Sequence, residues 1–460
     1  MSLSTKAFRA GAWTVGAHGT DIAARLLSTL VMTRLLFPEA FGQIAAATSL
    51  LVGLGLISDF GIRTVLVQNP CGAHEGFLQS AWTLQCLRGV ALWLILTFLC
   101  GVISLPWIRE TYLAGTVFGD SQFALIVSAL GLNLILSGME STAVALNIRN
   151  LNLRPIFVLD LVGRVLPIPV MIVWAWSARS VCSLVAGALV GGIVRLVYSH
   201  TFLPGPKMRL RWDWADTKQI IAFGKWVNVS SIASFAGGQS DRLLLGFLVP
   251  SSAFGLYAIA SLMIAAFQSL LDRLNSALTL SVLGEVARST GQQLGVKYYR
   301  FRLPFEFFAS LAGGIVFASG PTIVAILFDQ RYADAGQMLQ ILSIGLISYP
   351  ALFVTGVFTV VGEPRITAMT SVIQAISMIT FLLVGFVLAG MSGAVWGIAL
   401  HKLLPSVVIL AIGRQRRLVH LLKELRVIPL FLLGIIIGDG LIAIMQSLGI
   451  TKIGQFAVSP

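Results

Sequence analysis

Polar side chains recur at steps of three and four between residues 14 and 28: Thr14, His18, Asp21, Arg25 and Ser28. On a helix that spacing places them on one face, with Ile22, Ala23, Leu26, Leu27 and Leu30 forming the apolar remainder. A second stripe runs through Ser261, Gln268, Asp272, Asn275 and Thr279, and a looser one through Lys225, Asn228, Ser231, Gln239 and Arg242. The chemistry open to such faces is ionic. Guanidinium groups bind phosphate oxygens in bidentate fashion, so arginines set in apolar helices point to an anionic ligand. Asp21 and Asp272 would either hold those arginines in place or couple to an ion.

Covalent and nucleotide chemistry finds no support. Asp59-Phe60-Gly61 spells DFG, but it ends an apolar run, and no HRD triplet or glycine-rich loop accompanies it. Gly224-Lys225 lacks the spacing and the following Ser or Thr of a phosphate loop. The Ser, His and Asp residues show no spacing that favours a hydrolase. Cys71, Cys86, Cys100 and Cys182 lie far apart without a CxxC pair, which argues against a disulfide framework or a metal site. No cofactor is expected. Asn228-Val229-Ser230 is a glycosylation sequon in form only, set at the start of a helix.

The elements that must position the charged faces are membrane helices. The chain has 460 residues, 57% hydrophobic and only 11% charged, with mean hydropathy +0.88, whereas soluble domains carry about 25% charged residues. Several apolar runs exceed ~18 residues, long enough to cross a hydrocarbon core of ~30 Å. Helices satisfy their own backbone, which lipid requires. The pattern predicts an all-α polytopic membrane protein with thirteen spans, at 14–36, 40–60, 81–104, 121–138, 156–177, 180–200, 219–247, 253–282, 303–327, 337–361, 366–389, 391–412 and 427–447. Asp21 and Arg25 in the first run argue against a cleavable signal peptide.

With the N-terminus cytoplasmic, nineteen of the 32 Lys and Arg residues fall on the inner side, six on the outer side and seven within spans. The positive-inside rule therefore fixes that orientation as the expectation. It also accounts for most of the net charge of +13, which excludes nucleic acid as the expected partner.

A short phrase occurs twice: RLLFPEAFG at 34–42, and RLLLGFLVPSSAFG at 242–255. Six spans separate the copies, so both point the same way through the membrane. Two parallel-repeat six-helix bundles around a central cavity follow as the expected fold, with about one extra C-terminal helix. The expected division is an N-terminal lobe at 1–202, a basic cytoplasmic linker at 203–218 and a C-terminal lobe at 219–412. A basic loop, extra helix and tail then occupy 413–460.

The stretch RLLFPEAFGQIAAATSLLVGLGLISDFGIRTVLVQ (34–68) resembles the first-hairpin signature of bacterial Wzx-type oligosaccharide-lipid flippases. FGKWVNVSSIASFAGGQSDRLLLGFLVPSSAFGLYAIAS (223–261) resembles their second-lobe signature. That family belongs to the multidrug/oligosaccharidyl-lipid/polysaccharide exporter superfamily. The resemblance implies alternating access in the bacterial inner membrane, with a polyprenyl-pyrophosphate-linked glycan as cargo. With no nucleotide site in the sequence, an ion gradient (H+ or Na+) or the membrane potential is expected to drive the cycle, with polysaccharide polymerase and export machinery as expected partners. Thirteen spans depart from the twelve or fourteen of many relatives.

A charge at bilayer depth costs at least ~2.5 kcal/mol, so it should face protein or water. The cations within spans are Arg25, Arg88, Arg164, Arg195, Lys225, Arg273 and Lys402, and they outnumber the acids best placed to partner them, Asp21, Asp160, Asp272 and Asp439. Bland readings stand beside this one. Asp21 and Arg25, at i and i+4, could simply neutralise one another. Arg195, Lys225 and Arg88 lie shallow enough to snorkel. The deeper Arg25, Arg164, Arg273 and Lys402 are the expected cavity cations for an anionic head group, with Asp21 and Asp272 as charge partners or ion-coupling sites. Rival readings are a lipid II flippase, an Na+- or H+-coupled multidrug exporter, and a membrane-embedded glycan polymerase or ligase. The last would need a larger outer loop than 105–120, which offers only Arg109, Glu110 and Asp120.

Overall fold

The computed structural model describes residues 3–278, 294–361, 363–416 and 419–447. Every regular element among the described residues is helical. The first half contains α1 (Leu3–Leu35), α2 (Pro38–Ile57), α3 (Ile62–Gln68), α4 (Glu75–Ile103), α5 (Pro106–Tyr112), α6 (Phe123–Met139) and α7 (Ala143–Arg149). It continues with α8 (Arg154–Val165), α9 (Pro167–Ala178), α10 (Cys182–Thr201), α11 (Trp214–Gly238) and α12 (Ser240–Leu248). The second half holds α13 (Ser251–Leu278), α14 (Leu294–Leu327), α15 (Ala333–Ser343), α16 (Tyr349–Val361), α17 (Pro364–Leu400), α18 (Leu403–Gln415), α19 (Leu421–Glu424) and α20 (Val427–Ser447).

The repeated phrase opens a helix in both places. Pro38 starts α2 at a position where a missing N–H costs nothing, and Glu39 follows in the first turn. Pro250 stands one position earlier, immediately before α13.

Among the described residues, nine helical stretches are long and apolar enough to cross a membrane, or ten if the bent pair α6 and α7 counts as one span. Thirteen were expected, and the difference has three causes. The expected first and seventh spans are helical, as α1 and as α11 with α12, but their charged and polar residues keep them below the apolar threshold. The fourth is the helix α6, whose 17 residues fall just short of a span before a 57° bend leads into α7. The eleventh and twelfth lie in one continuous run, Arg365–Gln415, interrupted at Ala389 and Gly390 where the backbone is non-helical. Gly390 has φ +59° there, a left-handed conformation suited to glycine. A Cβ on Gly393 would lie 2.0 Å from the Gly385 carbonyl, so the two arms of α17 touch backbone to backbone.

The chain folds as two compact units, one of residues 1–235 and 242–254, the other of residues 236–241 and 255–460. In the first unit α1 packs on α8 and α9, α4 and α2 pack on α6, and α10 packs on α6, α8 and α9. The segment expected as a linker, 203–218, is laid down on this unit. Leu203 is buried, Asn147 Nδ2 donates to Pro204 O at 2.9 Å, and Arg211 N donates to Thr83 Oγ1 at 3.0 Å.

In the second unit α14 packs most extensively on α20, and α17 packs on α15, α16 and α18. The α14–α20 contact rests on small residues. Gly434 and Gly438 stand four apart on α20, the spacing that lets membrane helices approach closely. A Cβ on Gly314 would sit 2.1 Å from Phe431 O, and one on Gly434 would sit 2.5 Å from Leu311 O. Gly314→Val and Gly434→Val should each destabilise the protein by about 1–3 kcal/mol through overpacking. Thermal unfolding in detergent should show a lowered Tm for both, while Gly440→Ala, whose Cβ meets nothing within 4 Å, should leave it unchanged.

Candidate functional site

Three of the six residues singled out from the sequence meet in the first unit. Asp21 and Arg25 are one turn apart on α1, and Arg164 stands in the last turn of α8, which packs against α1. Arg164 Nε lies 2.7 Å from Asp21 Oδ1 and donates to it. Arg25 Nη2 lies 3.6 Å from Asp21 Oδ2. One carboxylate thus serves two guanidiniums, and the group carries one surplus positive charge. It is open rather than sealed, since the side chains of Arg25, Asp21 and Arg164 are 49%, 31% and 43% exposed. Pro167, at the start of α9, ends α8 just beyond Arg164. Its missing N–H leaves a carbonyl of that last turn without its helical donor, a place that favours a cation. The neutral Asp21–Arg25 pair is therefore half of the arrangement. Spacing conceals the other half, because Asp160 stands four residues before Arg164 yet turns to Arg195 instead.

In the second unit Lys402 lies at the junction of α17 and α18, with its ammonium 4.7 Å from the centre of the Tyr349 ring. The carboxylates of Asp272 and Asp241 are those whose charge it feels. Ser406 Oγ donates to Lys402 O at 2.7 Å, which fixes the turn. His401 is buried and its Nδ1 lies 2.6 Å from Ile398 O, the contact of a packed helix residue. Asp241 is buried and accepts from the Tyr257 hydroxyl. The sequence pattern did not mark this pair, because sixteen residues and a helix boundary separate them. Arg273 lies on α13, and its side chain falls outside the described residues, as do those of Lys225, Thr14 and His18.

Two span cations leave the binding question by being fully occupied. Arg88 caps the end of α2, donating from Nη2 to Gly55 O at 2.6 Å and from Nε to Ser58 Oγ at 3.1 Å. Arg195 donates to Asp160 at 2.6 Å and to Glu140 at 3.0 Å. It is held by two acids rather than extended to the interface. Arg195 and Glu140 border a cavity of about 210 Å³ that Arg63, Gln85 and Ser141 also line. This cavity lies at the α6–α7 bend, where helical carbonyls lose their donors. Gln85 Nε2 donates to Ser137 O and Gly138 O at 2.9 and 3.1 Å, and Trp82 Nε1 donates to Met139 O at 3.0 Å. Side chains thereby replace the missing backbone bonds, as a broken helix in lipid demands. No group of three or more His, Cys, Asp or Glu residues able to hold a metal occurs among the described residues.

Comparison with known proteins gives a consistent picture. Residues 31–335 match a family described as polysaccharide biosynthesis protein. The lipopolysaccharide biosynthesis protein WzxC of Escherichia coli (strain K12) is 19% identical over 415 residues, covering 88% of this chain and 80% of that protein. Among solved structures, the lipid II flippase MurJ in an inward closed conformation aligns with a TM-score of 0.71 at 12% identity, over 96% of this chain and 97% of that one. An inward-facing multidrug resistance MATE family transporter of the MOP superfamily aligns with a TM-score of 0.64 at 14% identity, over 86% and 94% of the two chains. At such identities the likeness is one of fold.

The double hold on Arg195 predicts non-additive mutants. Glu140→Gln or Asp160→Asn alone should cost at most about 1 kcal/mol, because the groups are partly exposed and one acid remains. The double mutant leaves Arg195 without an acid and should exceed the sum of the singles by about 0.5–3 kcal/mol. Thermal unfolding of the four proteins in detergent reads the difference.

Proposed function

Because this chain belongs to the polysaccharide biosynthesis protein family, we propose that it is a flippase for a polyprenyl-pyrophosphate-linked oligosaccharide. In this reading it carries the glycan from the inner to the outer leaflet of the bacterial inner membrane, with its N-terminus cytoplasmic. A polymerase and export machinery then use the product for surface or exopolysaccharide. The observation that carries the reading is the Arg25–Asp21–Arg164 group, a half-exposed site with one surplus positive charge on a membrane helix pair.

The physical problem is specific. A glycan head group cannot cross hydrocarbon unaided, because each hydroxyl would forfeit its hydrogen bonds to water. Its diphosphate is costlier still, as an uncompensated anion. Arginines supply the compensation, since they offer paired donors to phosphate oxygens and never lose their charge. The sharing of Asp21 matters here. Each arginine is held in place, yet neither is fully neutralised, so an arriving diphosphate replaces solvent around them rather than a tight ion-pair partner. Lys402 and Arg273 on the second unit are proposed to serve the same head group, and Asp21 and Asp272 to couple the cycle to H+ or Na+. Alternating exposure of these faces to the two sides of the membrane completes transport without any covalent step.

A lipid II flippase is the second reading, supported by the shared fold with MurJ, and it uses the same cationic logic. The fold of MATE transporters keeps a multidrug exporter within reach. That cargo is less well served, because a surplus of fixed positive charge repels cationic amphiphiles.

Arg25→Ala, Arg164→Ala, Arg273→Ala and Lys402→Ala should each reduce surface-glycan export by about tenfold or more at normal protein levels, corresponding to at least ~1.4 kcal/mol of lost interaction. Arg25→Lys should recover only part of it, because an ammonium cannot bind in a fork. Export at the wild-type rate from all four alanine variants would defeat the assignment. Reconstituted protein offered lipid II and a polyprenyl-diphosphate oligosaccharide in parallel would separate the two cargo readings.

A further inference from the structure

We infer that the segment 203–218 is a strap that binds the surface of an anionic phospholipid leaflet. The inference is independent of the cargo and rests only on the chain spanning a bilayer.

The segment lies against the first unit without regular structure until α11 begins at Trp214. Its backbone is pinned at successive points. Pro204 O accepts from Asn147 Nδ2 at 2.9 Å, Lys207 O accepts from Gln79 Nε2 at 3.3 Å, and Arg211 N donates to Thr83 Oγ1 at 3.0 Å. Asp213 Oδ1 then accepts from Ala215 N at 2.9 Å and starts α11. A polar linker pinned in this way would be expected to tuck its large apolar side chains inward. Here they point out. Leu210 is 75% exposed, Trp212 49% and Trp214 68%. The two indoles keep company at 6.2 Å between ring centres.

The order of residues explains the pattern. From Lys207 to Trp214 the chain reads K-M-R-L-R-W-D-W, with charge at every odd position and an apolar side chain at every even one. Both sets stay exposed, Lys207, Arg209 and Arg211 as well as Leu210, Trp212 and Trp214. Four cations, Lys207, Arg209, Arg211 and Lys218, stand against two acids, Asp213 and Asp216. Both acids have partners within the protein, Asp213 with Arg211 at 3.7 Å and Asp216 accepting from Ser80 Oγ at 3.2 Å. The strap therefore offers two exposed tryptophans and a leucine amid a net positive charge. That combination matches the membrane interface, where indole rings prefer the head-group level and basic residues meet anionic phosphates. A zwitterionic surface would satisfy the indoles but not the charge.

The probe is a nanodisc carrying the full-length protein, made of phosphatidylcholine with roughly a third phosphatidylglycerol. Bromine is placed on the acyl chains of one lipid or the other. The fluorescence contributed by the strap is the difference between the wild type and the Trp212→Phe/Trp214→Phe variant, a change small enough to leave packing intact. Quenching of that difference signal should be about twofold stronger when the brominated lipid is phosphatidylglycerol than when phosphatidylcholine is brominated at the same mole fraction. About 1 M salt should erase the preference while leaving residual quenching. In the Lys207→Gln/Arg209→Gln background the two lipids should quench equally. A difference signal that neither lipid quenches would overturn the proposal, as would equal quenching by both in the wild type.

Discussion

A carbonyl freed where a helix ends or bends needs a new donor, and side chains of this chain supply one at several such places. Arg88 reaches from α4 to the Gly55 carbonyl and the Ser58 hydroxyl at the end of α2. Arg149 donates from Nη1 to the carbonyls of Leu66 and Val67, each at 3.2 Å, at the end of α3. Gln85 and Trp82 do the same at the α6–α7 bend. Four polar side chains that could be read as ligands are thus retained to complete a backbone. Removing any of them leaves a carbonyl without its donor, at a cost of about 1–3 kcal/mol where it is buried. Cations assigned to this duty cannot also bind cargo, so the constraint narrows the candidates before any function is considered.

What remains after that subtraction is charge that the protein does not consume. Arg195 faces two acids and adds no surplus. Arg302 is fully buried between Glu306 and Glu424, joining α14 to the short helix before α20. It is a clamp rather than a binding group. The Asp21 group differs in both respects, having more cation than anion and about half its surface open. Stoichiometry and exposure together set the proposed site apart from a brace, where the mere presence of an arginine in a membrane helix does not.

Much of the fold was legible in the sequence, because membrane helices declare themselves by length and hydropathy and need no partner to do so. Each expected span has helical structure within it among the described residues, and the break between residues 389 and 391 falls at the left-handed Gly390. The candidate site was legible only in part. Asp21 and Arg25 share a helix, so their pairing follows from spacing alone. Arg164 joins them across the tertiary contact of α1 with α8, and Asp160 forsakes its nearer neighbour for Arg195. Such choices depend on rotation and depth of whole helices, which periodicity does not encode. The pairing of Asp241 with Tyr257 was hidden for the same reason.

The turn at Ala389 and Gly390 has a mechanical meaning. Gly385 and Gly393 bring the two arms of α17 into backbone contact, and a Cβ on Gly397 would stand 2.1 Å from Phe381 O, so the seam continues about two turns down from the bend. No slack lies between the arms, and sliding one along the other would break that fit at every step. The hairpin is thus a stiff lever whose far end carries Lys402. That close fit couples the turn to the end that bears the ammonium.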